Sequence, residues 1–254
     1  MTKKQKHQVV VDELLATYYV CGTGSKTILC LHGWGDSAAT FDHIASHTDF
    51  RYICVDLPGF GGTSAPTKPW GLDEFSIWVG AFVRKLDLQL DGLIGHSNGG
   101  AIAIRALSLG VLHPEKLILL AASGIRRPQS FRNQALKLVA KSGRALTLAL
   151  PKTARHRIRR KLYQQIGSDY LVAEHMRETF VKVVAQDVLG DAAKVSVPTL
   201  LIYGAEDHAT PPIFGALFAE RMPKASCVII PDAGHHVHID QPEDVSKLIA
   251  DFLT

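Results

Sequence analysis

Six short apolar runs punctuate the chain, at residues 27–33, 51–59, 91–97, 115–123, 197–204 and 225–235. Each is rich in Ile, Leu, Val or Cys and runs into Gly, Pro or Asp, where a chain leaves a sheet. The runs are apolar throughout rather than alternating, and stretches with helical spacing such as AIAIRALSLG separate them. This pattern predicts an α/β fold with a mostly parallel central sheet buried on both faces by helices. The opening stretch VVVDELLATYYVCGTG reads instead as an antiparallel pair on the sheet edge, and no internal repeat or low-complexity segment is visible.

The rhythm breaks once. Some 75 residues separate the runs at 117–122 and 198–204, far more than one crossover helix requires. Apolar positions at Phe131, Ala135, Leu138, Val139 and Leu146 predict helices within that stretch. The expected organisation is a core domain of residues 1–124 and 191–254 with a helical cap, or lid, inserted at 125–190. Charge sharpens the division. Residues 126–161 contain 12 Lys and Arg and no acidic residue, so the other 16 of the 28 basic residues face all 24 acidic ones. A net charge of +4 thus conceals a basic cap on an acidic body. The cluster Arg155–Lys161 reads as the solvated face of a cap helix, with steering of anionic substrates as its functional reading.

Composition excludes several classes. No apolar run approaches the ~20 residues of a membrane span. The basic start MTKKQK reaches Asp12 and Glu13 before any long apolar stretch, so a cytoplasmic protein without integral membrane association is expected. Cys21, Cys30, Cys54 and Cys227 form no CxxC pair, and free core thiols are the expectation. The 12 histidines show no metal-ligand spacing, and nothing resembling a nucleic-acid motif accompanies the basic stretch. No metal and no organic cofactor are expected, and the sequence leaves the oligomeric state open.

The chemistry concentrates in Gly95-His96-Ser97-Asn98-Gly99, placed between the strand-like DGLI and a helical pattern. Strand, sharp turn and helix form the context of a nucleophile elbow, which lifts a serine hydroxyl above the sheet. Glycines two residues either side of Ser97 leave room for the neighbouring strand and helix. The following helix directs its positive end at the place where an oxyanion develops.

With these residues in view, the sequence resembles the α/β-hydrolase superfamily. Leu31-His32-Gly33-Trp34-Gly35 is similar to the His-Gly oxyanion loop of that superfamily. Asp56-Leu57-Pro58-Gly59-Phe60-Gly61-Gly62-Thr63-Ser64 is similar to its D-x-P-G-x-G-x-S turn, and His113-Pro114-Glu115-Lys116 leads into the post-elbow strand. The resemblance covers about residues 20–123 and 195–254 and leaves the cap unaccounted for. It implies the α/β-hydrolase fold and the chain order Ser, acid, His. Asp207 stands at the acid position after VPTLLIYG, and His235 follows the Ala233-Gly234 turn, with Asp240 and Pro242 beyond it. The implied triad is Ser97, Asp207 and His235, with Glu206, His208, His236 and His238 expected at the surface or pocket rim. The backbone amides of Trp34 and Asn98 are the implied oxyanion hole, and His32, Gly33 and Phe60 are candidates for substrate binding. Asn98 departs from the Met or Gln common after the nucleophile.

A serine at the elbow argues against the dehalogenase and epoxide hydrolase branches, which place an aspartate there. The resemblance implies a carboxylesterase-type enzyme, which cleaves esters of small to medium acyl groups through an acyl-enzyme. Lactone hydrolysis and carbon–carbon bond hydrolysis on the same triad are the alternatives, and a non-catalytic small-molecule receptor is the alternative of another class. The expected partner is a small-molecule ester or lactone, with no nucleic acid.

Overall fold

A computed structural model describes residues 4–126 and 174–254. All six apolar runs form strands. They are β3 (Thr27–Leu31), β4 (Arg51–Val55), β5 (Gly92–His96), β6 (Lys116–Leu120), β7 (Thr199–Gly204) and β8 (Ala225–Ile230). The predicted antiparallel pair is β1 (Gln5–Val11) and β2 (Leu14–Cys21). Its two-residue turn holds Asp12 and Glu13 at φ 44° and 66°, the primed-turn geometry that matches strand twist. The eight strands form one sheet in the order β1-β2-β4-β3-β5-β6-β7-β8. Only the β1–β2 and β2–β4 pairings are antiparallel, and β3 to β8 run parallel.

The central strands β3, β5 and β7 are buried along their whole length because both faces of the sheet are covered there. Along β3, Leu29 and Leu31 point into one core while Ile28 and Cys30 point into the other, the two-residue period of a pleated strand. Helices α2 (Leu72–Lys85) and α3 (Asn98–Ser108) close the first face through Phe75, Trp78, Val79, Ile102 and Ala106. The second face is closed by α1 (Asp42–His47) and by α8 (Pro242–Leu253) at the end of the chain, through Ile44, Val245, Ile249 and Leu253. Each fully buried Leu or Ile contributes roughly 1.5–3 kcal/mol by leaving water. Cys21, Cys30 and Cys54 are buried free thiols and Cys227 is a partly buried one, as expected from the sequence.

The crossover from β6 to β7 runs from residue 121 to 198, and most of the interval expected to form the cap lies outside the described residues, the basic stretch included apart from Arg126. Its described end contains α4 (Arg177–Val184) and α5 (Leu189–Ala192). That end is tied to the core by Trp70 N–H to Thr179 Oγ1 (3.1 Å), Leu72 N–H to Gln186 Oε1 (2.6 Å) and Val188 N–H to the Gly124 carbonyl (2.8 Å). Among the described residues the remaining α-helices are α6 (Ile213–Arg221), against β7 and β8, and the single turn α7 (Val237–Asp240). Among the described residues no helix is long and apolar enough to cross a membrane.

Candidate active site

The C-terminal ends of the parallel strands point to one rim, the place where open α/β sheets bind ligands. Ser97 stands there, between β5 and α3, at φ 50° and ψ −114°. A non-glycine residue held in such a region costs about 1–3 kcal/mol, so the surroundings must impose it. They do so through hydrogen bonds from Ser97 N–H to the Leu120 carbonyl and to the Ser97 carbonyl from Gly100 N–H and Ser123 N–H, each 3.0 Å. The flanking glycines are required by space. A Cβ on Gly95 would lie 2.7 Å from Gly100 backbone atoms, and one on Gly99 would lie 2.0 Å from the Leu31 carbonyl oxygen.

Two further loops converge on this serine. His235, in the turn after β8, places Nε2 2.9 Å from Ser97 Oγ. Its Nδ1 lies 2.8 Å from Oδ2 of Asp207, in the loop after β7. A carboxylate only accepts, so Nδ1 carries the proton and Nε2 turns its lone pair toward the serine hydroxyl. Asp207 is 2% exposed. Burial pushes its carboxyl upward, but the hydrogen bond and charge of His235 and the hydrogen bonds of Thr210 outweigh burial and hold it below the ordinary carboxylate value. The three residues singled out in the sequence are thus brought together in the order hydroxyl, imidazole, carboxylate.

Thr210 is the residue that the sequence reading missed. Its hydroxyl lies 2.7 Å from Asp207 Oδ2, 2.8 Å from the Ala121 carbonyl and 3.1 Å from His235 Nδ1. The amides of Ala209 and Thr210 donate to the other oxygen, Asp207 Oδ1, at 2.8 and 2.9 Å. The only trace in the sequence is a hydroxyl residue three positions after a turn aspartate, a common spacing for local side-chain hydrogen bonds.

The loop after β3 abuts Ser97, since a Cβ on Gly33 would lie 3.3 Å from Ser97 Cβ. Trp34 follows it and packs edge-on against Phe60, with ring centroids 4.9 Å apart, and at 5.1 Å against Phe180 of α4. Asn98 opens α3, where an amide has no intrahelical acceptor. The Asn98 side chain is buried, and among the described residues neither its Oδ1 nor its Nδ2 has a hydrogen-bond partner, nor does the Trp34 indole N–H. Met176 packs against Gly59, and His175 Nε2 donates to the Gly59 carbonyl at 2.9 Å.

His32 is fully buried, and both of its nitrogens are engaged by backbone. Leu57 N–H donates to Nε2 (2.9 Å), so Nδ1 carries the proton toward the Gly33 carbonyl (2.7 Å). The ring has no free nitrogen with which to meet a ligand. It ties the loop after β3 to the Asp56–Ser64 turn, where Asp56 in turn accepts from Ala38 N–H and Gly62 N–H at 2.8 Å each.

Of the neighbours expected at the surface or rim, Glu206, His208 and His236 are exposed. His238 corrects the expectation. It is wholly buried, with Nε2 3.0 Å from Thr40 Oγ1 and its ring stacked on Phe41, because the single turn α7 lays Val237 and His238 against the core. His96, the residue before Ser97 in the elbow motif, is also buried, and its Nε2 donates to the His235 carbonyl at 3.0 Å.

Known proteins match the chain along most of its length. Among curated relatives, a pimeloyl-(acyl-carrier protein) methyl ester esterase from Yersinia enterocolitica is 28% identical, with 92% of this chain and 95% of that protein aligned. The AB hydrolase superfamily protein YisY from Bacillus subtilis is 25% identical, with 97% and 98% aligned. Among solved structures, the enol-lactonase from Burkholderia xenovorans superposes with a TM-score of 0.76 at 20% identity, covering 97% of this chain and 99% of that one, which shows a shared fold. Residues 28–248 match the alpha/beta hydrolase family, and the chain belongs to that family.

Proposed function

We propose that the protein is a serine hydrolase that cleaves carboxylic esters of small to medium acyl groups through an acyl-enzyme. The observation that carries this reading is the continuous contact from Ser97 Oγ through the His235 ring to Asp207, at 2.9 and 2.8 Å. His235 Nε2 takes the Ser97 proton as Oγ attacks the ester carbonyl. The amides of Trp34 and Asn98 receive the resulting oxyanion. Collapse of the tetrahedral species expels the alcohol, which takes the proton back from His235. Water then enters, gives a proton to His235 as it adds to the acyl carbonyl, and the second tetrahedral species collapses to the acid while His235 returns that proton to Ser97 Oγ. Asp207 stays ionised throughout, holds the Nδ1–H tautomer and stabilises the imidazolium.

Trp34, next to the Gly33 that abuts Ser97, packs on Phe60 and Phe180, and this apolar cluster suits an acyl chain rather than a charged group. His32 acts by position, fixing the Gly33–Trp34 loop. The methyl ester esterase among the relatives supports ester over carbon–carbon cleavage. The test is a panel of esters of graded acyl length, lactones and dienoic diketones, run with the wild type and Ser97→Ala. Ester turnover is expected to fall by about 10⁴-fold or more in the variant. Undiminished turnover in Ser97→Ala, or activity confined to the diketones, overturns the reading.

A further inference from the structure

The corner beside His235 holds a constellation that ester cleavage leaves unused. Among the described residues, Asp36, His96 and His236 each offer one ligand atom, and these atoms lie within 4.8 Å of one another. They come from three separate segments, the loop after β3, the last position of β5 and the turn after β8.

His96 is the fixed member, 1% exposed. Its Nε2 faces the His235 carbonyl at 3.0 Å, and a carbonyl only accepts, so the ring proton sits on Nε2 and Nδ1 presents a lone pair. That Nδ1 is buried and has no hydrogen-bond partner among the described residues. An imidazole that donates one N–H to a backbone carbonyl and leaves the other nitrogen bare is the arrangement that orients histidine ligands at metal centres. Asp36 uses Oδ1 to accept Ser37 N–H at 2.8 Å, which leaves Oδ2 available. His236 is exposed, and its ring centroid lies 5.1 Å from that of His96.

We propose that Asp36, His96 and His236 form a site for a divalent transition-metal cation, Zn²⁺ foremost, that adjoins the Ser97–His235–Asp207 group without sharing a side chain with it. Two imidazoles and one carboxylate match the borderline character of Zn²⁺ and leave a fourth position for water. Metal–ligand bonds of about 2.0–2.2 Å set tetrahedral ligand atoms roughly 3.3–3.6 Å apart. The remaining closure falls on Asp36 and His236, the two members not locked in the core. A bound cation would join the loop that carries Trp34 to the turn that carries His235, and so brace both sides of the nucleophile.

The test is calorimetric titration of chelator-treated full-length protein with ZnCl₂ at neutral pH, with Co²⁺ as a spectroscopic substitute and thermal melting as a second readout. One equivalent is expected to bind to the wild type, to Ser97→Ala and to His235→Gln, with the visible absorption of four-coordinate Co²⁺. Affinity is expected to fall at least about tenfold in Asp36→Asn and in His236→Gln. Zn²⁺ should raise the Tm of the wild type and leave those two variants nearly unmoved. Equal affinity in the wild type and both variants overturns the proposal. So does loss of binding in His235→Gln, which would assign the cation to the nucleophile's own imidazole.

Discussion

Two neighbourhoods meet at the His235 ring and treat the same kind of side chain in opposite ways. On one flank stands an anion, Asp207, its Oδ2 held by His235 and Thr210 and its Oδ1 by two backbone amides. On the other flank lies His96, its ring centroid 5.1 Å from that of His235, and beyond it His238, 4.8 Å from His96. Both of these are buried, and among the described residues neither is hydrogen-bonded to a carboxylate. Burial, then the charges of neighbouring histidines, push His96 well below the ordinary imidazole range and His238 down to about 3. An imidazole can gain a proton during a reaction only where a counter-charge waits for it. Proximity to Ser97 is not enough.

The largest expected contrast between the flanks is therefore kinetic. Asp207→Asn removes the anion and favours the wrong tautomer, and kcat is expected to fall by about 10⁴-fold while the fold is retained. His238→Gln keeps a polar side chain against Thr40 and leaves the anion in place. Its kcat per folded molecule should fall by less than about tenfold, since a single neutral hydrogen bond contributes only about 0.5–1.5 kcal/mol. Steady-state ester hydrolysis, with the folded fraction measured in parallel, separates the two. Equal losses would break the distinction between a charge-bearing flank and a packing flank.

A smaller effect appears in stability against pH. The folded protein keeps His238 neutral down to about 3, whereas an unfolded chain protonates it near 6.5. The unfolded state thus binds more protons between these values, so stability is fully present above about 6.5 and declines as pH falls. At pH 5 the loss from this one residue is about 2 kcal/mol at most. The Asp207 carboxyl has the depressed sign, and its contribution is lost only as pH drops below the unfolded carboxylate value near 3.9, outside this window. Urea denaturation at pH 7.5 and pH 5 should show a shallower decline in His238→Gln than in the wild type. Parallel declines would mean that the buried histidine flank is not what acid attacks.

The kinetic flank was legible in the sequence and the packing flank was not, for a physical reason. Ser97 sits in a turn whose constraints are local, because the Gly95 and Gly99 spacing, the preceding strand and the following helix all lie within a few residues. Asp207 and His235 each follow a strand whose apolar run marks its end, so their position on the rim can be read even though their contact cannot. The six strands were legible for the same reason, since burial on two faces removes polar residues from them. His238 lies on a helix of four residues, too short for periodicity to show which side faces the core. Thr210 meets Asp207 through a turn, with no motif beyond its spacing. Asp36, His96 and His236 lie far apart along the chain, and only the sheet brings them within reach of one another. Linear ligand spacing cannot reveal such a group.

The finest test of the anion flank is Thr210. Thr210→Val keeps the shape and the backbone N–H that reaches Asp207 Oδ1, and removes only the hydroxyl at Oδ2. The carboxylate then keeps His235 as its partner on that oxygen but loses a second donor, and its pKa should rise toward the ordinary value. A hydrogen bond to a charged group contributes roughly 1.5–3 kcal/mol, but part of this persists through water and the remaining amides, so kcat/KM is expected to fall by about tenfold. Stability should also drop by about 1–3 kcal/mol, because the Ala121 carbonyl loses the same hydroxyl. The two effects separate with Thr210→Ser, which restores the donor without the methyl group. If the hydroxyl orients Asp207, serine recovers kcat/KM even where the lost methyl keeps the Tm low. If kcat/KM instead follows the Tm across Thr, Ser and Val, the backbone amides of Ala209 and Thr210 alone orient the carboxylate and the hydroxyl serves the fold.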